Sequence, residues 1–159
     1  MPESASTKST KAHIAEVQSL LVYFMGELDK RAKEHDLSKL QDPEFPIYEE
    51  WTPKLADSDY GSEEYHAMLK EMRPAIEHHY KVNRHHPEHF EYGIEDMNLI
   101  DIIEMFCDWI AAVRRHKSGD IQKSLEVNTE RFGMSEQLVN IFQNTLEWMK
   151  VSHETDTQF

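Results

Sequence analysis

Histidine and aspartate stand side by side at His35-Asp36, and Lys39 follows three residues later. Imidazole nitrogens and carboxylate oxygens bind divalent metal ions, and an ammonium group beside them can hold a phosphate. Adjacent side chains point in different directions on a regular helix, so both reach one ion only near a helix end or a bent turn. The prolines at 43 and 46 favour such a bend. The pair alone equally fits a chance match in which Asp36 caps a helix.

A second cluster, HHYKVNRHHPEHF, holds five histidines within twelve residues. His79 continues the apolar stripe of the helix predicted here, so we expect it to face the core. We expect His85 and His86, and then His79, to be metal ligands, because imidazoles converging where a helix ends suit a divalent ion. A buried structural histidine or a solvated histidine-rich turn would give the same pattern. His66, or His78, which we otherwise expect to face outward, could each replace His79.

The most apolar helix in the sequence, predicted over 97–116, is expected to be central. Three carboxylates share one of its faces, at spacings of three and four. They are Asp101, Glu104 and Asp108. Burying such groups costs several kcal/mol per ion unless each is paired or bound to a metal. Pairing with Arg114 or Arg115 is the alternative to metal binding. Asp101 and Asp108 compete for the role of ligand, while Glu104 fits a general acid or base, or a partner that orients a ligating histidine.

His13 lies on the apolar stripe of the first predicted helix and is expected to point inward. Alone it reads as a core histidine. The interpretation of His13 as a metal ligand is favoured by its context. An inward histidine, a His-Asp pair, a histidine cluster and an acidic helix occur on different elements of one small chain.

Apolar residues recur at intervals of three and four, and no stretch alternates with period two. The fold class is therefore all-α, a helical bundle of five to six main helices. Pro74 should kink or divide one of them, and Asp120 and Gly133 read as a helix start and a helix stop. The predicted helices run from 7 or 9 to 31 or 33, over 62–84, 97–116 and 121–131, and from 135 to about 150, with a short turn at 35–39 and a loop with a short helical piece at 49–61.

The composition excludes several classes of protein. Thirty acidic residues against 17 basic ones give a net charge of −13, which repels duplex nucleic acid. No apolar run is long enough to span a membrane, and the start has no secretory signal. A single cysteine, Cys107, fits a reducing compartment, so we expect a cytoplasmic protein. We expect a disordered N-terminus over 1–6, one domain over 7–150 and a frayed C-terminus over 151–159.

The order of these motifs resembles the HD-domain superfamily of metal-dependent phosphohydrolases, which gather a His, a His-Asp pair, further histidines and a late Asp inside a helical bundle. The match runs through His13 in HIAEV, His35-Asp36 in KEHDLSK, His79 and His85-His86 in HHYKVNRHH, and Asp108 in FCDWIAA. HDLSK is similar to the HD-x-x-K form of cyclic-dinucleotide phosphodiesterases, but no GYP follows the paired histidines, so that specificity is not supported. Over about 13–145 the chain more closely resembles a family of small proteins of bacteria and their phages, which adds no activity of its own.

The resemblance implies a metal-activated water that attacks a nucleotide or another small phosphorylated metabolite. A mononuclear site would use His13, His35, Asp36 and Asp108, and a dinuclear site would add His79, His85 and His86. The metal would be one or two divalent transition ions, with Mn, Fe, Ni, Co and Zn not distinguished. Lys39 would steady phosphoryl oxygens, and Arg84 or Arg73 would bind a second phosphate.

Three alternatives stay open. Dinuclear iron oxygenases resemble the same order of motifs, a metal-stabilised helical module would bind without turnover, and all the histidines could be structural. The sequence also leaves a homo-oligomer open.

Overall fold

Helices make up the regular structure of the residues that the computed structural model describes, which are 4–58, 62–115 and 119–156, and no strand occurs among them. The all-helical class is thus confirmed. The chain divides into two compact units, Met1–Asn83 (unit 1) and Arg84–Phe159 (unit 2). The boundary of a single domain over 7–150 stays a prediction.

The described residues of unit 1 form four α-helices and one 3₁₀ turn. In chain order they are α1 (Ala5–Glu34), the 3₁₀ turn Leu37–Leu40, α2 (Phe45–Asp57), α3 (Glu63–Glu71) and α4 (Arg73–Val82). The Ser4 side chain accepts a hydrogen bond from the Thr7 backbone and caps α1, so the helix begins within the N-terminus that we expected to be disordered. As predicted, the helical region that contains Pro74 is divided in two, and the proline lies in the first turn of α4, where a missing N–H costs nothing.

The helix α2 was missed from the sequence, where 49–61 reads as a loop with a short helical piece. Pro46 does not stop a helix here but occupies its first turn, and Pro53 lies inside it. The structure therefore has seven α-helices in its described residues rather than five or six.

Unit 2 contains the 3₁₀ turns Pro87–His89 and Gly93–Asp96, followed by α5 (Leu99–Arg114), α6 (Ile121–Phe132) and α7 (Glu136–Asp156). Asp120 caps α6 through two backbone N–H groups, and Gly133 ends it in the left-handed conformation, both as predicted. The helix α7 continues to Asp156, beyond the frayed end expected at 151.

The hydrophobic core of unit 2 is built around α5. Phe106 stacks on Phe142 with ring centroids 4.4 Å apart, and Met105 is almost completely buried. The buried cluster consists of Met97, Met105, Phe106, Ile110, Leu125, Met134, Phe142 and Leu146. Each such side chain contributes about 1.5–3 kcal/mol on burial, so α5 has the central position that its sequence predicts.

The interior of unit 1 is different because half of its buried residues are polar. Among the described residues of this unit, the buried ones are Glu44, Met72, Ala75 and His79. A buried carboxylate needs compensating partners, so the packing of unit 1 depends on a polar cluster rather than on apolar volume alone.

The apolar stripe of α1 does not face a core, which corrects the prediction for His13. None of the described residues of α1 is buried, and His13 is exposed. Periodicity detects an amphipathic helix, but it does not say what covers the apolar face. None of the described helices is both long and apolar enough to cross a membrane.

Candidate functional site

Asp36 lies in the bend that the sequence predicts after the first helix. Its φ of 59° is left-handed, and it precedes the 3₁₀ turn that ends in Leu40. Aspartate tolerates this region better than most residues, but a non-glycine residue there is uncommon and marks functional sites. Asp36 Oδ2 lies 2.6 Å from Lys39 Nζ and 3.7 Å from His35 Nε2. The bend thus collects the two halves of the His-Asp pair and Lys39 around one carboxylate.

His79 on α4 approaches the same carboxylate. Its Nε2 lies 3.2 Å from Asp36 Oδ1, and its side chain is only 2% exposed. The opposite ring nitrogen, Nδ1, lies 2.9 Å from Glu44 Oε2. The sequence prediction that His79 faces inward from the stripe of α4 is therefore confirmed.

Glu44 was not identified from the sequence, although it is completely buried. Its carboxylate receives His79 on one oxygen and His78 Nδ1 on the other, at 2.7 Å. Ser38 Oγ donates to the same Oε2 at 3.0 Å, and Asn83 Nδ2 donates to Ser38 Oγ at 2.8 Å. An ionised carboxylate only accepts hydrogen bonds, so beside an ionised Glu44 both histidines carry hydrogen on Nδ1. Asn83 Nδ2 and Ser38 Oγ also lie 3.0 and 3.1 Å from His79 Nδ1.

We call this set the unit 1 cluster: Asp36, Ser38, Glu44, His78, His79 and Asn83. It corrects the expectation that His78 faces outward. The signal for Asn83 was its four-residue spacing from His79, and its side chain also donates to the His79 carbonyl at 2.9 Å. Glu44 carried no such signal, since it stands between two prolines in a stretch with no clear periodicity.

Tyr48 lies beside the carboxylates of the unit 1 cluster. Its pKa is raised well above the ordinary phenol value, first by burial and then by the charges of Glu44 and Asp36. The Tyr48 ring lies 6.3 Å from that of His79, edge to face, and Lys39 Nζ lies 5.5 Å from its centroid. The carboxylates of Glu44 and Asp36 therefore favour a cation here, and Lys39 supplies one beside Asp36.

A pocket of about 360 Å³ opens beside Ser38, His78 and Asn83 in unit 1. Glu34 and Asp42 also line it, so its walls are acidic. Such walls disfavour a phosphate group unless a cation is bound as well.

In unit 2, His85 repeats the orientation of His79. It is 2% exposed, and its Nδ1 lies 3.1 Å from Glu104 Oε1 on α5. His86 is half-buried, and its ring centroid is 4.2 Å from that of His85. We call His85, His86 and Glu104 the unit 2 cluster. Of the roles expected for Glu104, the structure thus shows a partner for a histidine.

Asp101 and Arg84 form a salt bridge, which corrects the expectations of Asp101 as a metal ligand and of Arg84 as a phosphate-binding residue. Asp101 is fully buried, and its carboxylate takes Arg84 Nε at 3.1 Å and Nη2 at 2.8 Å while closing the capping box of α5 with Asn98. The hydrogen bonds that Arg84 donates to Asp101 raise the pKa of Arg84. Asp101 is thus held by structural partners rather than poised as a ligand, and Arg84 is not poised for phosphate.

The remaining candidates are placed as follows. Arg73 is exposed and pairs with Glu77 one turn along α4, at 2.6 Å. Asp108 is half-buried on the same face of α5 as Glu104. His66 is exposed on α3 and His13 on α1, and neither belongs to the two clusters.

The fold and these clusters define a class: an all-helical protein with a histidine oriented by a carboxylate in each unit. The chain belongs to a family described as a family of unknown function, DUF5662, whose model matches residues 2–148. No curated protein and no solved structure matches the chain.

Proposed function

We propose that this protein is a metal-dependent phosphohydrolase that acts on a nucleotide or another small phosphorylated metabolite. One observation carries the proposal: His79 Nε2 and Asp36 Oδ1 lie 3.2 Å apart, and Glu44 Oε2 lies 2.9 Å from the other ring nitrogen, Nδ1. With the His79 hydrogen on Nδ1, where Glu44 accepts it, the lone pair of Nε2 faces the Asp36 carboxylate. Such a contact is favourable only when a proton or a metal cation is shared between the two atoms.

The residues present fit a metal ion. Imidazole nitrogen with carboxylate oxygen is a donor set of divalent transition ions. Metal-binding histidines almost always donate their second ring N–H to a carboxylate or carbonyl, which is the arrangement of His79 with Glu44. The alternative is a doubly protonated His79 that donates to both carboxylates, and spectroscopy distinguishes the two.

The unit 2 cluster supports the proposal independently. Glu104 orients His85 through Nδ1 as Glu44 orients His79, so His85 Nε2 is directed away from its carboxylate partner. Orienting carboxylates on two separate histidines are typical of ligand sets rather than of histidines that only fill space. Each unit therefore has its own proposed ligands. In unit 1 they are Asp36, His35 and His79, and in unit 2 they are His85, His86 and Asp108.

A bound divalent ion would lower the pKa of its water ligand and neutralise phosphate charge. Lys39 holds Asp36 at 2.6 Å, and its flexible ammonium can turn to a phosphoryl oxygen while staying in this neighbourhood. Glu104 can take or give a proton at Oε1, where it meets His85. The resemblance to HD-domain phosphohydrolases supports the class of reaction, and the single cysteine supports a cytoplasmic setting.

The test combines metal analysis with phosphate release. Protein purified without chelator should hold at least one equivalent of transition metal by inductively coupled plasma mass spectrometry, and should release phosphate from members of a nucleotide and sugar-phosphate panel. His79→Ala should lose both properties. His66→Ala is the matched control, because His66 is exposed on α3 of the same unit and should leave both unchanged.

Each alternative has its own outcome. Iron with oxygen uptake and no phosphate release would replace the proposal with an oxygenase. Bound metal that raises the melting temperature without turnover on any substrate would indicate a binding module. A metal-free protein whose phosphate release does not respond to His79→Ala would refute the proposal.

A further inference from the structure

Most of the large apolar side chains that are exposed among the described residues of unit 1 lie on the long helix α1. Eight large apolar side chains on it are each between 41% and 67% exposed. They are Ile14, Val17, Leu20, Leu21, Val22, Tyr23, Phe24 and Met25. A surface of this kind on a 30-residue helix marks an interaction site.

Five apolar residues of α1 lie at positions a and d of a heptad repeat, and they are Ile14, Val17, Leu21, Phe24 and Leu28. Of the other exposed apolar residues, Leu20 and Met25 flank these positions, whereas Val22 and Tyr23 lie on the outer side of the helix. Positions a and d alternate at spacings of three and four through the whole helix, and we call these residues the α1 seam. The seam consists of Thr7, Thr10, Ile14, Val17, Leu21, Phe24, Leu28 and Arg31. A 3.5-residue repeat of this length is the pattern of helices that pair along their full length in a coiled coil.

We propose that α1 pairs antiparallel with α1 of a second copy of this chain, so that the protein is a homodimer. Position a of one helix meets position d of the other in such a pair. Ile14 then packs on Phe24 of the second copy, and Val17 packs on Leu21. The same register sets Thr10 against Leu28 of the second copy. The four seam residues Ile14, Val17, Leu21 and Phe24 therefore pair with one another across the dimer.

The charged residues select the antiparallel direction. A parallel pair would place Arg31, at position d, against Arg31 of the second copy. The antiparallel register places it against Thr7 instead, and brings His13 at position g beside Glu27 of the second copy. Opposed helix dipoles favour the same direction.

The available area is sufficient for a stable dimer. Six of the eight exposed apolar side chains of α1 lie in the seam or at the flanking positions e and g, which leaves out Val22 and Tyr23. At about half exposure each and roughly 200 Å² per fully exposed side chain, they present on the order of 600 Å². Specific interfaces begin at about 600 Å² on each partner.

A lipid surface is the less suitable occupant. Helices that lie on membranes carry a strongly basic polar face, whereas α1 mixes five Lys and Arg residues with four Asp and Glu residues. The chain as a whole has a net charge of −13, which repels anionic lipids.

The first experiment measures mass by light scattering on the full chain at micromolar concentration. Wild-type protein should have twice the monomer mass of 18.8 kDa. Leu21→Glu and Val17→Glu, both in the α1 seam, should each give the monomer. Ser19→Glu is the matched control, because it lies on the same helix outside the seam and should stay dimeric. Since these seam residues are exposed within the chain, circular dichroism should show each variant folded.

The second experiment determines whether the two α1 helices run parallel or antiparallel. A spin label at Ser9→Cys, in a Cys107→Ser background, should report a distance of about 30 Å across the dimer, because the antiparallel register separates the two labels by about twenty residues at 1.5 Å each. A parallel pair would bring the labels to roughly 10 Å. That short distance, a monomeric wild type, a dimer that survives both seam variants, or a monomer that binds phosphatidylglycerol vesicles through α1 would overturn the proposal.

Discussion

Glu44→Ala tests the polar cluster of unit 1 most sharply, because this one carboxylate accepts from His78, His79 and Ser38. Removing the partner that orients a metal-binding histidine typically costs 10–100-fold in metal affinity. Without Glu44, His79 Nδ1 loses its charged acceptor, and Ser38 Oγ, 3.1 Å away, is a weaker one, so a form with hydrogen on Nε2 becomes populated. That form points a donor at Asp36 and has no lone pair there for a metal.

The same change should reduce the free energy of unfolding. Hydrogen bonds to a charged acceptor contribute about 1.5–3 kcal/mol each. Two effects reduce the sum of three such bonds: His78 is partly exposed and can rehydrate, and the cost of burying a carboxylate disappears. We therefore expect a net loss of about 2–4 kcal/mol in metal-free protein.

The assay pairs isothermal titration with Mn²⁺ or Zn²⁺ and urea unfolding of the metal-free protein. Glu44→Gln retains an oxygen that can face His79, so it should lose less than tenfold in affinity. Glu50→Ala is the control, because Glu50 is on the same helix, is exposed and pairs only with Lys54 one turn away among the contacts that the structure shows. Long-range proton–nitrogen spectra read the position of the His79 hydrogen directly. A folded Glu44→Ala protein with unchanged affinity and the hydrogen still on Nδ1 would refute the reasoning.

Four further outcomes follow from the geometry. Asp36→Ala should be less stable than Asp36→Gly by about 1–2 kcal/mol in urea unfolding, because alanine is strained at a φ of 59°, and equal stabilities would contradict that conformation. Arg84→Ala should cost about 1–2 kcal/mol of unfolding free energy, a modest value because the guanidinium is 43% exposed, and it should leave KM for a phosphorylated substrate unchanged; a raised KM at constant stability would restore its predicted phosphate role. Met105→Ala should cost about 2–5 kcal/mol by the same method, whereas Trp148→Ala on the exposed surface should cost much less. Burial, with the charges of Glu104 and Asp108, raises the pKa of the Cys107 thiol. The stability that the protonated thiol contributes is therefore present below the pKa of the unfolded thiol and is lost as pH rises through the folded pKa. Cys107→Ser should remove that alkaline decline, and a decline of equal size in the variant would exclude Cys107 as its source.

The fold could be predicted where a local rule decides the structure. Asp120 and Gly133 cap and end α6 by their own side-chain and backbone chemistry, and Pro74 divides two helices because of its missing N–H. The apolar positions of α5 predicted its central place in unit 2. The helix α2 was missed because proline signals a stop or a first turn, and only the packing of the neighbouring residues decides between them.

The candidate site could be predicted only where residue type and local spacing identify a residue. His79 and His85 were identified from spacing and type, and both are buried beside carboxylates. Glu44 acquires its role only when α2 packs beside α4, which no spacing in the sequence reveals. The prediction that His13 points inward was wrong, because an apolar stripe that suits a core serves equally well as a surface for another helix.

The central claim is that Asp36 and His79 share a divalent cation. Anomalous diffraction from crystals grown with Mn²⁺ tests it most directly, because the peak gives the ion and its ligands together. The account predicts a peak within about 2.0–2.3 Å of both His79 Nε2 and Asp36 Oδ1, with Glu44 still bound to His79 Nδ1. Full manganese occupancy elsewhere, with His79 donating hydrogen bonds to both Asp36 and Glu44, would contradict it.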